Sequence, residues 1–313
     1  MRQKVIFDTD PGLDDAVALL FLLGASDRLE LMGVTCVAGN VGVDATSRNA
    51  RIVCEWAGRA DVPVYAGAAA PLCASIATAE EVHGESGMAG APEHEPSMPL
   101  QAGHAAQFIV DTVRCEASGS VTLCAVGPLT NLALALSIAP DIAPRIGRVV
   151  VMGGAYFEGG NITPSAEFNF YADPHAAARV LHAGVPVTVL PLDATHQACT
   201  RAERVARVAA LPNACGPLAA RLMTSFERHD VKKYGQEGAP LHDPCAVAWL
   251  LEPGLFGGRE VNVEIETDSA LTRGHSSVDW WRSTGRAPNA LWITEVDADA
   301  MFALMAASIG RLP

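Results

Sequence analysis

Lysine is nearly absent from this sequence, which has it only at Lys4, Lys232 and Lys233. Lysine and arginine together number 22, against 35 aspartate and glutamate residues, so the formal net charge is −13. Proteins that bind nucleic acid or anionic lipid need cationic side chains, because these interact with phosphate groups and displace their counterions. The charge balance therefore argues against both nucleic acid and a membrane surface as partners.

No apolar run approaches the ~20 residues that a membrane-spanning helix requires. The first run, Val5–Phe7, ends after three residues at Asp8, which is too short for the core of a signal peptide. The eight cysteines include no Cys-x-x-Cys pair, and most of them lie in apolar runs. Such cysteines indicate reduced, buried thiols rather than a zinc site or a disulfide framework. We therefore expect a cytoplasmic protein.

Charged residues make up only 18% of the sequence and hydrophobic residues 50%, so the chain has ample apolar surface for a core. Short apolar runs alternate with helix-length amphipathic segments between Val5 and Leu190. This alternation predicts an α/β fold: a Rossmann-like, open and mostly parallel sheet with helices on both faces. A few additional strands and helices are expected toward the C-terminus. No linker divides residues 1–313, so we expect a single domain.

Four segments outside this alternation carry expectations of their own. A mostly helical stretch is predicted over Arg201–Arg228, and a half-exposed strand over Val261–Thr267, where apolar and polar residues alternate. Two loops, Gly67–Pro99 and Lys232–Pro240, are long for a compact domain. Long loops of this kind are commonly lids or binding loops, so both are expected near a functional site.

Four acidic residues lie within eight positions where the first apolar strand is expected to turn into a helix: Asp8, Asp10, Asp14 and Asp15. Open parallel sheets bind their ligands at the carboxyl ends of the strands. Interaction with a helix N-terminus is the alternative for Asp14 and Asp15, but it does not account for Asp8 and Asp10. Carboxylates this close repel one another unless a cation joins them, and oxygen-only donors favour Ca²⁺ or Mg²⁺. The cluster therefore predicts a site for a hard cation.

The segment Asp8–Ala16, Asp-Thr-Asp-Pro-Gly-x-Asp-Asp-Ala, resembles the signature of the nucleoside hydrolases, the inosine/uridine-preferring nucleoside N-ribohydrolase family. Other segments resemble further motifs of that family, in the same order along nearly the whole chain. These segments are Val37–Val41, His83–Met88, Gly127–Asn131, Met152–Ala155, Asn161, Glu167–Pro174 and Leu241–Pro244. Each motif is weak alone, whereas their shared order and spacing are specific.

The resemblance implies a Ca²⁺ site in the substrate pocket. The matching positions place carboxylate ligands at Asp10, Asp15 and Asp243 and a backbone carbonyl ligand at Val126. Water and the 2′- and 3′-hydroxyls of a ribose would complete a shell of seven or eight oxygens, which suits Ca²⁺ better than Mg²⁺. For Asp243 alone, the alternative is an acidic residue at a helix N-terminus before Pro244.

The resemblance also implies a reaction, the hydrolysis of the N-glycosidic bond of a ribonucleoside. Asp10 is implied as the general base that takes a proton from the attacking water, and His242 as the residue that activates the leaving base. Ribose contacts are implied for six positions: Asp14, Asn40, Met152 (through its carbonyl), Asn161, Glu167 and Asn169. For Asn161 and Asn169, turn formation and capping is the alternative.

Two further residues are candidates for contacts to the base. His83 lies in the first long loop and Tyr234 in the second. A histidine in a glycine-rich loop is commonly a surface residue, which is the alternative for His83. Purine-specific relatives stack the base between tryptophans, and no tryptophan lies in Gly67–Pro99. A nonspecific or pyrimidine-preferring enzyme is therefore expected, and the resemblance further implies a homodimer or homotetramer.

Two other functions compete with this interpretation. A haloacid-dehalogenase-like phosphohydrolase also has an Asp-x-Asp motif after its first strand, which Asp8 and Asp10 would match. That chemistry needs a lysine on the phosphate, and no lysine of this chain follows a strand in such a position. A noncatalytic ribonucleoside-binding protein is the other alternative; a site that had lost turnover should have lost a residue such as Asp10 or His242, and both are present.

Overall fold

The computed structural model describes residues 2–225 and 238–313. Within them, ten strands are present: β1 (Gln3–Thr9), β2 (Leu29–Cys36), β3 (Val64–Ala66), β4 (Val121–Ala125), β5 (Ile146–Met152), β6 (Val187–Leu190), β7 (Phe256–Val261), β8 (Val263–Ile265), β9 (Ser276–Val278) and β10 (Ala290–Val296). Eight of them form the main sheet in the order β3-β2-β1-β4-β5-β6-β10-β7, and β8 pairs with β9. Neighbours in the main sheet pair in parallel, except that β7 runs antiparallel to β10.

Helices cover the faces of this sheet. Those in the described residues are α1 (Leu13–Gly24), α2 (Val43–Trp56), α3 (Glu80–His83), α4 (Ala105–Cys115), α5 (Thr130–Ile138), α6 (Phe168–Ala172), α7 (Pro174–Leu181), α8 (Leu192–Thr195), α9 (Ala202–Ala209), α10 (Cys215–Ser225), α11 (Pro244–Leu251) and α12 (Ala298–Ile309). Short 3₁₀ helices span Pro140–Arg145 and Pro253–Leu255. None of these helices has the length and hydrophobicity needed to cross a bilayer. The α/β fold with a mostly parallel sheet is as predicted.

The sheet order places the ends of β1 and β4 side by side where the winding direction changes. From β1 the chain proceeds outward to β2 and β3, and then returns to β4 on the other side of β1. Loops that leave the carboxyl ends of adjacent strands diverge at such a point and open a crevice. The acidic segment after β1 therefore lies at the mouth of that crevice.

Both faces of the central strands are buried, which explains their nearly continuous apolar sequences. Phe7 of β1 is paired with Val34 on one side and Cys124 on the other, and all three are fully buried. Helix α1 is buried at every position from Leu13 to Gly24, and it packs against α10, α11 and α12. Because α1 is held on all sides, the acidic residues of its first turn are held in place too.

The mostly helical stretch predicted over Arg201–Arg228 is confirmed for the described residues, with a break between α9 and α10 at Pro212, which has no N–H for a helical hydrogen bond; residues 226–228 lie outside the described part. Another prediction from the sequence is wrong in its extent. The strand predicted over Val261–Thr267 is divided between two sheets. Both hydrogen-bonding groups of the Val263 backbone are taken by the side-chain amide of Asn289, at 2.8 and 2.9 Å, so β8 leaves the main sheet.

Candidate active site

The acidic segment after β1 is organised around Asp15. The Asp15 carboxylate accepts hydrogen bonds from the Thr9 hydroxyl (2.6 Å), from the backbone N–H groups of Asp10 (3.2 Å) and Gly12 (3.0 Å), and from the Asn40 amide (2.9 Å). Buried carboxylates require such donors, because burial otherwise removes their hydration without replacement. Asp15 thereby stabilises the tight turn that joins β1 to α1.

Asp10 is almost completely buried beside the other carboxylates of this segment. One oxygen, Oδ2, accepts the backbone N–H of Asn40 at 2.7 Å. A Cβ at Gly39 or at Gly127 would overlap an Asp10 carboxylate oxygen, so two glycines make room for this carboxylate. The other oxygen, Oδ1, is buried and accepts no hydrogen bond from the residues that the structure describes. Asp10 therefore has one carboxylate oxygen available to a ligand.

Asp243 approaches the same point from a different part of the chain, one residue before α11. Carboxylate oxygens of Asp14, Asp15 and Asp243 all lie within 4.8 Å of one another, and all three residues are buried. Burial first, and then the charges of Asp15 and Asp14, hold the pKa of Asp10 well above its usual range. Burial and the charges of Asp14, Asp15 and Asp10 do the same to the pKa of Asp243. A group of this kind could hold a metal ion, since a cation removes the repulsion that raises these pKa values.

A second wall of the cavity is formed after β4 and β5. The Asn169 side-chain amide donates to the carbonyl oxygens of Val126 (2.7 Å) and Met152 (3.1 Å), which end these two neighbouring strands. The Val126 carbonyl therefore lies in the cavity with a protein donor already on it. One side chain holds both carbonyls at the crevice.

Glu167 and Asn161 serve as capping residues in this structure. The Glu167 carboxylate accepts from the backbone N–H groups of Asn169 (2.8 Å), Gly154 (2.8 Å) and Phe170 (3.2 Å), so it caps α6. Burial raises the pKa of Glu167 to about 7, although these N–H groups act in the opposite direction. The Asn161 side-chain oxygen accepts the Phe168 N–H at 2.9 Å. Capping, the alternative for Asn161, is thus observed, and both side chains also line the cavity.

The two candidate histidines, His83 and His242, are buried and line the cavity. His83 is at the end of α3 and only 6% exposed, and its Nδ1 accepts the backbone N–H of Leu13 at 3.0 Å. The alternative for His83, a position on the surface, is therefore wrong. His242 is 8% exposed, and burial, together with His196 and His83, holds the pKa of His242 well below its usual range.

These groups surround an open cavity of about 760 Å³, a volume that includes the solvent at its mouth. The sequence-predicted residues that line it are Asp14, Asp15, Asn40, His83, Val126, Met152, Asn161, Glu167, Asn169, His242 and Asp243. Asp10 is not among the lining residues, but its carboxylate interacts electrostatically with those of Asp14 and Asp15, which are. Tyr234 falls outside the described residues.

Several lining residues were missed by the sequence interpretation: Ala79, Glu81, Val82, Ile162 and Phe168. Val82 adjoins His83, Ile162 adjoins Asn161, and Phe168 lies within the motif Glu167–Pro174, so the motifs were the signal that could have found these three. Thr195, whose hydroxyl lies 2.8 Å from the His242 ring, has no such signal, because 47 positions separate the two in the sequence.

The phosphohydrolase alternative fails on the position of Asp8. Its chemistry requires the first aspartate of the motif as a nucleophile. Asp8 is fully buried, and its Oδ2 accepts from the Thr35 hydroxyl (2.6 Å) and the Asn131 amide (2.9 Å). Asp8 does not line the cavity, and its contacts tie it to Thr35 of β2 and Asn131 of α5, which is the arrangement of a structural residue.

Comparison with known proteins agrees with this geometry. Residues 5–303 match the model of a family described as inosine-uridine preferring nucleoside hydrolase. An uncharacterized protein of Schizosaccharomyces pombe is 50% identical over 310 residues, which cover 99% of this chain and 100% of that protein. A pyrimidine-specific ribonucleoside hydrolase, RihA, of Salmonella schwarzengrund is 43% identical over 307 residues, 98% of each.

Comparison with solved structures also finds a ribonucleoside hydrolase. The structure of a purine-preferring ribonucleoside hydrolase from Gardnerella vaginalis superposes with a TM-score of 0.91 at 28% sequence identity, and the match covers 98% of each chain. Sequence, fold and a buried polar cavity at the sheet's switch point lead to one conclusion. The chain belongs to the inosine-uridine preferring nucleoside hydrolase family, and it is an enzyme that hydrolyses the N-glycosidic bond of ribonucleosides.

Proposed function

We propose that this enzyme is a Ca²⁺-dependent hydrolase that prefers pyrimidine ribonucleosides or accepts both base classes. The observation that carries the proposal is the convergence of Asp14, Asp15 and Asp243 in the lining of a cavity that holds further polar groups. The pyrimidine preference is supported by the 43% identical relative, whose name is pyrimidine-specific, and by the absence of tryptophan from Gly67–Pro99.

The donor set fits a hard divalent cation. The ligands would be the carboxylates of Asp10, Asp15 and Asp243 and the Val126 carbonyl, all of them oxygens, and Ca²⁺ accepts six to eight such donors. The buried Asp10 Oδ1, which accepts no hydrogen bond from the described residues, supports the fit. When bound, the cation lowers the pKa of a water molecule and orients it.

Activation of water is proposed for Asp10. Its carboxylate lies between Gly39 and Gly127 with Oδ2 fixed by the Asn40 N–H, so its orientation is set before substrate binds. As a general base, Asp10 takes one proton from the water that attacks C1′ of the ribose. The bond from C1′ to the base nitrogen breaks as positive charge develops on the sugar, as in other glycoside hydrolyses.

The ribose is proposed to bind among six polar groups: Asp14, Asn40, the Met152 carbonyl, Asn161, Glu167 and Asn169. These groups come from the ends of several strands, so they contact a ribose from more than one side. Binding energy from the unreacting hydroxyls can be used to distort the sugar toward the transition state.

The leaving base is proposed to lie against His242, with His83 as a second contact and Tyr234 as a third. The electron pair of the broken bond moves onto the base, so a hydrogen-bond donor at that position lowers the barrier. The low pKa of His242 keeps its ring neutral, and a neutral ring can donate one hydrogen bond.

We also propose that residues 1–313 act as one domain, that the enzyme works in the cytoplasm, and that it forms a homodimer or homotetramer. The family match over residues 5–303 supports the first point. Light scattering coupled to size exclusion would test the last one; a monomer at micromolar concentration would contradict it.

The decisive experiment measures ribose release from uridine, cytidine, inosine and adenosine by the purified full chain. Activity should disappear after dialysis against EGTA, return with Ca²⁺, and be highest with the two pyrimidine nucleosides. The Asp243→Asn variant should lose activity. Asp279→Asn is the matched control, because Asp279 is a half-buried residue that does not line the cavity and that accepts from the exposed Ser283 and Thr284. Release of ribose at full rate with EGTA present would contradict the Ca²⁺ proposal, and higher kcat/KM for inosine and adenosine would contradict the pyrimidine preference.

A further inference from the structure

The ring of His242 is held by a residue from a distant part of the chain. Thr195 is the last residue of α8, the short helix that follows β6, and it is fully buried. Its Oγ1 lies 2.8 Å from Nδ1 of His242. The ring lines the cavity while its Nδ1 edge faces the threonine.

The Thr195 hydroxyl is not needed to close the helical turn in which it lies. That turn is closed through the backbone, by the Thr195 N–H donating to the Pro191 carbonyl at 3.0 Å. The side chain is therefore directed at the imidazole, and a purely local role in α8 does not account for its orientation.

We propose that Thr195 is a positioning residue: it donates its hydroxyl hydrogen to Nδ1 of His242 and thereby keeps the ring hydrogen on Nε2, directed at the leaving base. The inference rests on the proposed role of His242 as the contact of that base. It assigns a function to a residue that does not itself touch the substrate.

The direction of the hydrogen bond follows from the reaction. A neutral imidazole carries one hydrogen, and the bond made by one ring nitrogen decides where that hydrogen resides. If Nδ1 donated to Thr195, Nε2 would be an acceptor and would repel the electron pair arriving on the base. If Thr195 donates, Nε2–H stabilises that charge. The hydrogen stays on His242, and the proton that the free base acquires comes from solvent.

The test compares two substrates that differ in how much help the leaving group needs. Uridine has a poor leaving group, whereas p-nitrophenyl β-D-ribofuranoside releases a phenolate that is stable without a hydrogen bond. Thr195→Val should lower kcat for uridine by about 10- to 100-fold with KM changed by less than about threefold, since residues that orient a catalytic group typically have effects of this size. Hydrolysis of the nitrophenyl riboside should stay within about threefold of wild type.

Two variants complete the comparison. Thr195→Ser retains the hydroxyl and should restore uridine hydrolysis to within about threefold of wild type. Thr188→Val is the matched control, because Thr188 is a fully buried threonine of β6 whose hydroxyl accepts from Arg148, and it should match wild type with both substrates. His242→Ala should show the same selective loss as Thr195→Val.

A second measurement does not depend on turnover. In the full chain labelled with ¹⁵N-histidine, the chemical shifts of His242 should report an unprotonated Nδ1 and a protonated Nε2. A protonated Nδ1 would overturn the inference, as would equal losses on both substrates for Thr195→Val or a wild-type uridine rate in that variant. If wild type released ribose from no nucleoside, the proposed function itself would fail, and that outcome is distinguishable from all of these.

Discussion

Two aspartates follow parallel strands at the same edge of the sheet, but the number of hydrogen-bond donors around their carboxylates differs. Asp193, in the turn after β6, accepts the backbone N–H groups of Tyr156 (3.1 Å), Phe157 (2.8 Å) and Glu158 (3.0 Å), and the Trp292 indole N–H (2.8 Å). Asp10, after β1, accepts one backbone N–H, and its Oδ1 accepts no hydrogen bond from the described residues.

The difference separates an aspartate that holds the fold together from one that is kept for chemistry. A buried carboxylate surrounded by N–H donors is stabilised by them, and it ties together the segments from which they come. A buried carboxylate that faces other carboxylates is destabilising until a ligand arrives. Substitution of Asp10 should therefore reduce kcat but not stability, whereas substitution of Asp193 should reduce stability and change kcat less.

The largest effect is expected for Asp10→Asn. Because the general base is lost, kcat for uridine should fall by about 10³-fold. The metal-free variant should nevertheless be at least as thermostable as metal-free wild type, because removal of one charge relieves the repulsion that raises the pKa of Asp10. Steady-state kinetics and calorimetry with EGTA present measure the two quantities. A variant that is inactive and also clearly less stable would contradict the comparison.

The converse is expected for Asp193→Asn. The substituted amide cannot accept from three backbone N–H groups and the indole at once, so about 3 kcal/mol of unfolding free energy should be lost in urea titrations. The loop held by Asp193 leads to Asn161, so KM should rise while kcat changes less. In Asp279→Asn the donors are exposed to water, and a smaller loss of stability is expected there. Equal losses in the two variants would show that burial of Asp193 is unimportant.

The stabilisation of the fold by Ca²⁺ should also differ between a variant of the cavity carboxylates and the Asp193→Asn variant. At a free concentration of about 100 times its dissociation constant, Ca²⁺ should stabilise wild type by about 2.7 kcal/mol, since a ligand that binds only the folded state adds its binding free energy. This increment should be lost in Asp243→Asn and retained in Asp193→Asn. Thermal unfolding with and without the ion measures it, and an increment that survives in Asp243→Asn would remove Asp243 from the ligand set.

The smallest effect concerns a carboxylate outside both regions. Glu55 accepts from Ser97 (N–H and hydroxyl, both 2.7 Å) and the Met98 N–H (2.6 Å), and it pairs with His94 (2.5 Å). Burial alone would raise its pKa, but these partners outweigh burial and lower the pKa of Glu55 to about 2. Since the unfolded state then binds more protons, the stabilisation is complete above about pH 5 and is lost as the pH falls toward 2.

The Glu55→Gln variant tests this pH dependence. It should be less stable than wild type by about 1 kcal/mol at pH 7, with the difference shrinking toward pH 3. Tm measured across this range gives the result. A difference that is independent of pH would mean that the charge of Glu55 contributes nothing.

Much of the fold could be predicted from local sequence. The alternation of short apolar runs with amphipathic segments predicted the α/β class and the mostly parallel sheet, because strand and helix periodicities are properties of short segments. The helix break at Pro212 and the strand break caused by Asn289 were not predicted. The first has a local sequence signal, the proline itself. The second depends on a side chain that reaches a backbone 26 positions away, and no short-range pattern contains it.

The candidate site, like the fold, could be predicted only in part. The resemblance to the family named eleven of the residues that line the cavity, and also Asp10, which does not line it. Motifs did not show that Glu167 and Asn161 are occupied as caps, that His83 is buried, or that Thr195 contacts His242. Each of these facts is a contact between segments distant in sequence or a consequence of burial.

The sequence by itself determined the class of fold, the family and the identity of the acids around the cavity, because these follow from residue types in a fixed order. Only the tertiary structure decided which of those acids are surrounded by hydrogen-bond donors. Asp15 has donors from neighbouring segments, whereas Asp10 and Asp243 meet other carboxylates in a buried place. The physical reason is that the cost of a buried charge depends on what surrounds it in space, and the chain brings those surroundings together only on folding.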